Sequence, residues 1–255
     1  MIEIKRKAFG CILILLLFMP SAAFSQSKNE KTVFQSAPII ALMNGVMNDN
    51  FKVGEISKYG NFGLGTFNGV DGEMIVLHGI TYRVNNEGKA VIPGPDVKTP
   101  FVTVTFFKTD KTIRSKDTLS YKSLTDFIDA NLPSKNLIYA VKVNGEFSYM
   151  ETRSEPKQTK SYSNLADVLK NQSVFKFQNV KGTMVGFKYP AYMGGVNVPG
   201  YHFHFLTIDK KEGGHVLNLT ANNVKIEIEY IRKINLNLPA SKEFDKADLS
   251  GKVKD

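Results

Sequence analysis

Apolar positions along this chain recur mostly at every second residue, in short runs broken by glycine-containing turns. The stretch "FGLGTFNGVDGEMIVLHGITYRVNNEGKA" (62–90) joins β-branched and aromatic runs through Asn-Gly, Asp-Gly and Glu-Gly, which predicts a strand meander with tight turns. "PFVTVTFF" (100–107) reads as another strand. "LIYAVKVNGEFSYMETRS" (137–154) predicts a hairpin turning at Asn144-Gly145, with Phe147, Tyr149, Glu151 and Arg153 on one face of the return strand. Further strands are expected at 175–179, 182–189, 201–208 and 215–219. A long alternating run follows at 223–239, with a phase slip at Tyr230-Ile231 that predicts a bulge.

Helical periodicity is confined to short segments. Residues 37–49 place Ile39, Ile40, Met43, Val46 and Met47 on one face. "SLTDFIDANLP" (123–133) reads as a helix capped by Ser123, with Leu124, Phe127 and Ile128 inward. "SNLADVLKN" (163–171) turns Leu165, Val168 and Leu169 inward. The expected fold is mixed α/β and strand-rich, in two parts. A boundary in the polar stretch "SEPKQTKSYS" separates an N-terminal α/β sheet domain (26–155) from a C-terminal β-rich domain (156–255).

Composition adds a leader to this picture. Lys5, Arg6 and Lys7 precede the apolar run "CILILLLFMP", and "SAAFSQ" places Ala23 and Ser25 at the −3 and −1 positions of a cut before Gln26. That is the pattern of a signal peptide (1–25), and the run is shorter than the roughly 20 residues that span a bilayer. The expectation is a secreted or periplasmic protein with no membrane anchor after cleavage. The single cysteine, Cys11, falls inside the leader, so the mature chain carries no thiol chemistry. Any metal ligands there must be His, Asp or Glu. The leader holds three of the basic residues and Glu3, a net of +2, which leaves +7 of the formal +9 on the mature chain. These charges are scattered, without the clustered pattern that nucleic-acid binding requires, so no nucleic-acid partner is expected. With 18 Phe, 10 Tyr and no Trp, the bulk of the core is aromatic of the kind strands favour.

The candidate chemistry lies in "YHFHFLTIDKKEGGH" (201–215), which holds three of the chain's four histidines. In a strand, His202 and His204 face one side while Phe203 and Phe205 anchor the other. The turn "DKKEGG" reverses the chain, and a return strand starting at His215 brings a third imidazole across from His204. Gly213 and Gly214 permit a bulge that sets this register. Three imidazoles on one face can bind Zn²⁺ at about 2.0–2.1 Å each and leave a coordination position open for catalysis. The plain alternative is a polar strand surface. His78 lacks such partners and reads as structural.

The blocks "FGLGTFNGVDGEMIVLHG", "ETRSEPKQ", "GTMVGFKYPAYMGGVNVPGYHFHFL" and "GGHVL" together resemble the α-acetolactate decarboxylase family, over a span from about Ala37 to about Leu249. The resemblance implies zinc on His202, His204 and His215, an active-site glutamate at Glu73 and an arginine at Arg153. It implies a two-domain α/β fold whose N-terminal sheet pairs across a homodimer. The implied reaction is decarboxylation of (S)-2-acetolactate, a 2-hydroxy-3-oxo acid, to (R)-acetoin and CO₂ in acetoin and 2,3-butanediol biosynthesis. On the residues alone, Glu73 also reads as a turn-flanking surface carboxylate and Arg153 as a salt-bridge partner of Glu151. The resemblance further implies a glutamate from a tail beyond "KADL" (246–249). No residue of this sequence matches it, and the expectation is that Glu73 works without it. Another His₃-zinc hydratase or hydrolase, and a non-catalytic secreted metal-binding module, remain the alternatives at this stage.

Overall fold

The alternating runs pair into two sheets. The computed structural model describes residues 31–159 and 164–250. The signal peptide expected at 1–25, with Cys11, lies outside the described residues, as does the end of the tail at 251–255. Thirteen strands occur among the described residues: β1 (Thr32–Gln35), β2 (Phe62–Thr66), β3 (Glu73–Leu77), β4 (Ile80–Val84), β5 (Ala90–Val91), β6 (Val102–Thr105), β7 (Lys111–Ser115), β8 (Leu119–Ser120), β9 (Ile138–Ser154), β10 (Ser173–Tyr189), β11 (Gly200–Thr207), β12 (Gly213–Ile231) and β13 (Lys233–Leu236). The helices are α1 (Ile39–Met43), α2 (Tyr121–Asp129), α3 (Leu165–Leu169) and α4 (Lys242–Lys246).

The first sheet has the order β13-β1-β6-β2-β3-β4-β5, antiparallel except for the parallel pair β1–β13. The second has the order β11-β10-β9-β12-β7, with β8 against β12. Its β11 also pairs with the start of β12, so β9, β10, β11 and β12 close a ring. The expected boundary after residue 155 falls in the loop after β9. The first sheet takes β13 from beyond it, and the second takes β7, β8 and β9 from before it. The meander of the sequence reading is β2–β5, and His78 occupies the two-residue β3–β4 turn at φ 55° beside Gly79.

The two sheets pack face to face. Ile75, Leu77 and Leu64 of the first meet Ala140, Val185, Phe187 and Leu206 of the second. The second sheet buries its other face inside the ring and against α2, around Phe147, Met150, Phe203, Phe205, Leu124 and Ile128. Side-chain direction follows from the period of two. Glu73 shares the parity of Ile75 and Leu77, so it points toward the second sheet. His202 and His204 share the parity of Leu206, so they point back toward the first.

Several expectations are corrected. Asn144-Gly145 is no turn: residues 138–154 form one strand, in which Gly145 faces Gly182 on one side and Val224 on the other. Pairing on both sides overrides the local turn preference. Asn144 accepts a hydrogen bond from Thr183 at 2.8 Å, and a Cβ at residue 145 would stand 2.6 Å from Val224 Cγ1. The glycine therefore serves a close strand approach. The expected common face of Phe147 with Tyr149, Glu151 and Arg153 also fails. Thr220 faces Tyr149 while Ala221 faces Phe147, so Ser148 is bulged and the parity switches there. Strands expected at 215–219 and 223–239 run together as β12 and break after Ile231. The bulges lie earlier than Tyr230, between Val216 and Val224. Helix α1 is a single turn and a half, and α2 is capped by Ser120, whose hydroxyl accepts from the Ser123 N–H.

Where β12 crosses the first sheet it buries a carboxyl. Glu229 is fully buried; Thr105 donates to its Oε2 at 3.2 Å, and its Oε1 has no hydrogen-bond partner among the described residues. Burial pushes its pKa up to about 7, with the Thr105 hydrogen bond opposing. A folded-state pKa above the unfolded one means that Glu229 favours folding most below its ordinary range, and that this contribution fades as pH rises through about 7. Glu229→Gln should therefore raise Tm at pH 8 by about 3 °C or more and leave it nearly unchanged at pH 5. An equal Tm difference at both pH values, read by circular dichroism, would show that the carboxyl carries no such penalty.

Candidate active site

Three neighbouring strands carry one row of side chains. In the register of the second sheet, His204 of β11 stands opposite His215 of β12, and His215 stands opposite Arg153 of β9. Directly opposed residues on one face bring their side chains together. His202, two residues before His204, completes the cluster. The hairpin that allows this is tight. A Cβ at residue 213 would lie 2.1 Å from the Phe205 carbonyl oxygen, and one at Gly214, which takes φ 139°, would lie 2.5 Å from the Arg153 carbonyl oxygen. Only glycine permits that backbone approach.

The ring nitrogens converge. His202 Nε2 lies 3.2 Å from His204 Nε2 and 3.1 Å from His215 Nδ1, and the last two are 3.3 Å apart. The Nδ1–H of His204 donates to the Met74 carbonyl at 2.8 Å, which leaves the Nε2 lone pair directed at the centre. Burial, helped by the Arg153 charge, pushes His202 down to about 4. His204 is held well below the ordinary imidazole range by burial and then by His202, and His215 by burial and then by Arg153. All three are therefore neutral at neutral pH and have lone pairs to offer.

These residues fit a metal ion. Tetrahedral bonds of 2.0–2.1 Å place ligand nitrogens about 3.3–3.4 Å apart, close to the spacing present here. Three ring nitrogens at this spacing can each turn a lone pair toward one shared cation. No other group of three or more potential ligands of this kind occurs among the described residues.

Glu73 Oε2 sits 3.2 Å from His204 Nε2, and the side chain is buried. Burial first, then the neighbouring Glu155, raises its pKa well above the usual carboxylate range, against the pull of Arg153. Arg153 donates from Nη1 to Gln172 Oε1 at 2.9 Å, and its Nε lies 3.5 Å from Glu155 Oε1. The alternative reading of Arg153 as a salt-bridge partner of Glu151 does not match its contacts: Glu151 accepts from the Tyr149 hydroxyl. The structure thus brings Glu73, Arg153, His202, His204 and His215 around one cavity of about 300 Å³. His78 stays outside it. The rest of the wall is mostly apolar, chiefly Leu42 and Met43 of α1, Leu165 and Leu169 of α3, Val70 and Phe101, with Thr66, Glu155 and Tyr201 as its polar members. Sequence reasoning missed Glu155, which lies in the polar run "SEPKQ". Its only signal was its spacing of two from Arg153 on an extended segment.

The chain matches the alpha-acetolactate decarboxylase family over residues 33–251. The alpha-acetolactate decarboxylase of Methanosarcina mazei is 45% identical over 217 residues, 85% of this chain and 75% of that protein. That of Methylococcus capsulatus is 40% identical, over 86% of this chain and 84% of its own length. The crystal structure of the Bacillus subtilis strain 168 enzyme superposes with a TM-score of 0.84 at 36% identity, covering 86% of this chain and 94% of that one.

The convergence of neutral imidazoles generates a binding prediction. Chelator-treated protein should take up one divalent ion per chain, with a rise in Tm. His204→Ala should lose that rise while keeping its circular dichroism spectrum. Calorimetric titration showing no uptake by the folded wild-type protein would contradict it.

Proposed function

The chain belongs to the alpha-acetolactate decarboxylase family, and from this premise we propose that it converts (S)-2-acetolactate to (R)-acetoin and CO₂ using zinc held by His202, His204 and His215. The observation that carries this reading is the three-imidazole cluster with Glu73 at 3.2 Å inside a mostly apolar cavity. Zinc bound there would supply Lewis-acid stabilisation of the negative charge that reaches the ketone oxygen when CO₂ leaves.

The chain's own residues account for the rest. Acetolactate is a β-keto acid whose C2 carries the hydroxyl, the methyl and the carboxylate. Breaking the C2–carboxylate bond leaves an electron pair that delocalises into the C3 ketone, and C2 must then receive one proton. Arg153 presents a planar guanidinium that orients the substrate's oxygens. The apolar wall of α1 and α3 takes the methyl groups and excludes water from the carbon that has lost CO₂. Burial first and then Glu155 oppose the ionisation of Glu73, which suits it to hold and give up a proton. It delivers that proton to C2 on one face, which makes the product a single enantiomer. Donation from one fixed carboxyl in a closed wall is what the proposed (R) outcome requires.

The leader and assembly remain proposals of the same reading: cleavage after Ser25, a secreted or periplasmic mature protein, and a homodimer. Mass spectrometry of the exported fraction should find an N-terminus at Gln26. An intact Met1 in soluble cytoplasmic extract would refute export.

Purified protein given acetolactate should release acetoin and CO₂ one to one, and chelation should abolish this release until zinc is restored. Glu73→Gln keeps the shape and removes the transferable proton. Its kcat should fall on the order of 10²–10⁴, with metal content unchanged. A near-normal rate in Glu73→Gln would remove this residue from the proton step.

A further inference from the structure

Glu155 is the one charged residue of the cavity wall not yet given a task. It is only 2% exposed, between the two polar groups assigned to the substrate. On one side its Oε1 faces Arg153 Nε at 3.5 Å, and both atoms are buried without a hydrogen-bond partner among the described residues. On the other side its carboxyl neighbours Glu73 and opposes the ionisation of that residue. Its placement follows from the backbone. It lies two residues after Arg153, and Pro156 restricts it to extended conformation, so the strand's alternation carries past the end of β9.

A buried carboxylate is costly unless something needs its charge. With the three imidazoles neutral, Arg153 would otherwise meet the substrate carboxylate with uncompensated positive charge. That carboxylate must leave as neutral CO₂. A guanidinium that held it tightly in the ground state would raise the barrier, because only interactions stronger in the transition state accelerate a step. We propose that Glu155 is a positioning residue that pins the Arg153 guanidinium together with Gln172 and offsets its charge, so that Arg153 orients the substrate carboxylate without holding it against departure. This rests on the decarboxylase reading above.

Glu155→Gln keeps the shape and removes the charge. The expected result is a split: kcat falls about tenfold or more while KM falls as well. The charge offset can be read without turnover. The unreactive carboxylate 2-hydroxy-2-methylpropanoate should bind the variant about fivefold more tightly than the wild type, while neutral 2,3-butanediol binds both alike. Calorimetry on metal-loaded protein measures both. A merely structural lesion would weaken both ligands together, and that result, or unchanged carboxylate affinity in a folded variant, would overturn the proposal. Glu155→Asp keeps the charge and loosens the pin. It should lower kcat while leaving carboxylate affinity within about twofold of the wild type. If Glu155→Gln does not fold, a wild-type kcat in Glu155→Asp overturns the proposal by itself. Absence of acetoin release by the wild-type enzyme would instead sink the decarboxylase reading, and the two binding measurements would still decide the charge offset.

Discussion

Three imidazoles whose ring nitrogens lie within hydrogen-bond reach of one another cannot all be charged, and the fold around them is arranged so that none is. Burial does most of this, and the fixed charge of Arg153 adds to it. A histidine that protonated here would carry a buried cation close to the Arg153 guanidinium. The same burial that keeps the rings neutral makes the cluster a ligand set. It also means that the residues around it must supply any negative charge the site needs. Glu155, beside Arg153, is placed to do so, whereas burial and Glu155 oppose the ionisation of Glu73.

Everything that positions the cluster is backbone pairing. The ladder His204–His215–Arg153 spans three strands, and a one-residue slip in either pair would turn a side chain to the opposite face. Glycines at 213 and 214 admit the approach of β11, β12 and β9. Behind them, Phe203 and Phe205 lock β11 into the ring core, and Phe147 meets Phe205 edge to face at 5.4 Å. The first sheet closes the site from the other side: β3 delivers Glu73, and its Met74 carbonyl fixes the His204 tautomer. The apolar packing of the two sheets therefore sets the distance between the acid and the imidazoles, and α1 and α3 roof the cavity.

Much of this was legible along the chain, for physical reasons that differ by residue. The H-x-H alternation and the glycine-rich turn before His215 are local signals, and local geometry decided them. Asn144-Gly145 is equally strong local chemistry, yet the structure overrides it, because strands on both sides satisfy its backbone and no turn remains to be made. Glu73 and Arg153 could be singled out only through family resemblance; as single residues they look like surface charges. Glu155 stayed hidden because a carboxylate in a polar run reads as solvated until the partner strands are in place. The apolar roof from α1 and α3 was visible as inward helical faces, but nothing in the sequence said which interior those faces line.

The proposed role of His202, His204 and His215 is to hold a catalytic zinc ion with room left for substrate. X-ray absorption at the zinc edge tests it most directly on active, metal-loaded enzyme. Three imidazole nitrogens are expected at about 2.0–2.1 Å, with the remaining positions held by exchangeable oxygen that changes when a substrate analogue binds. A shell dominated by carboxylate oxygen, or full activity in enzyme that contains no metal, would contradict it.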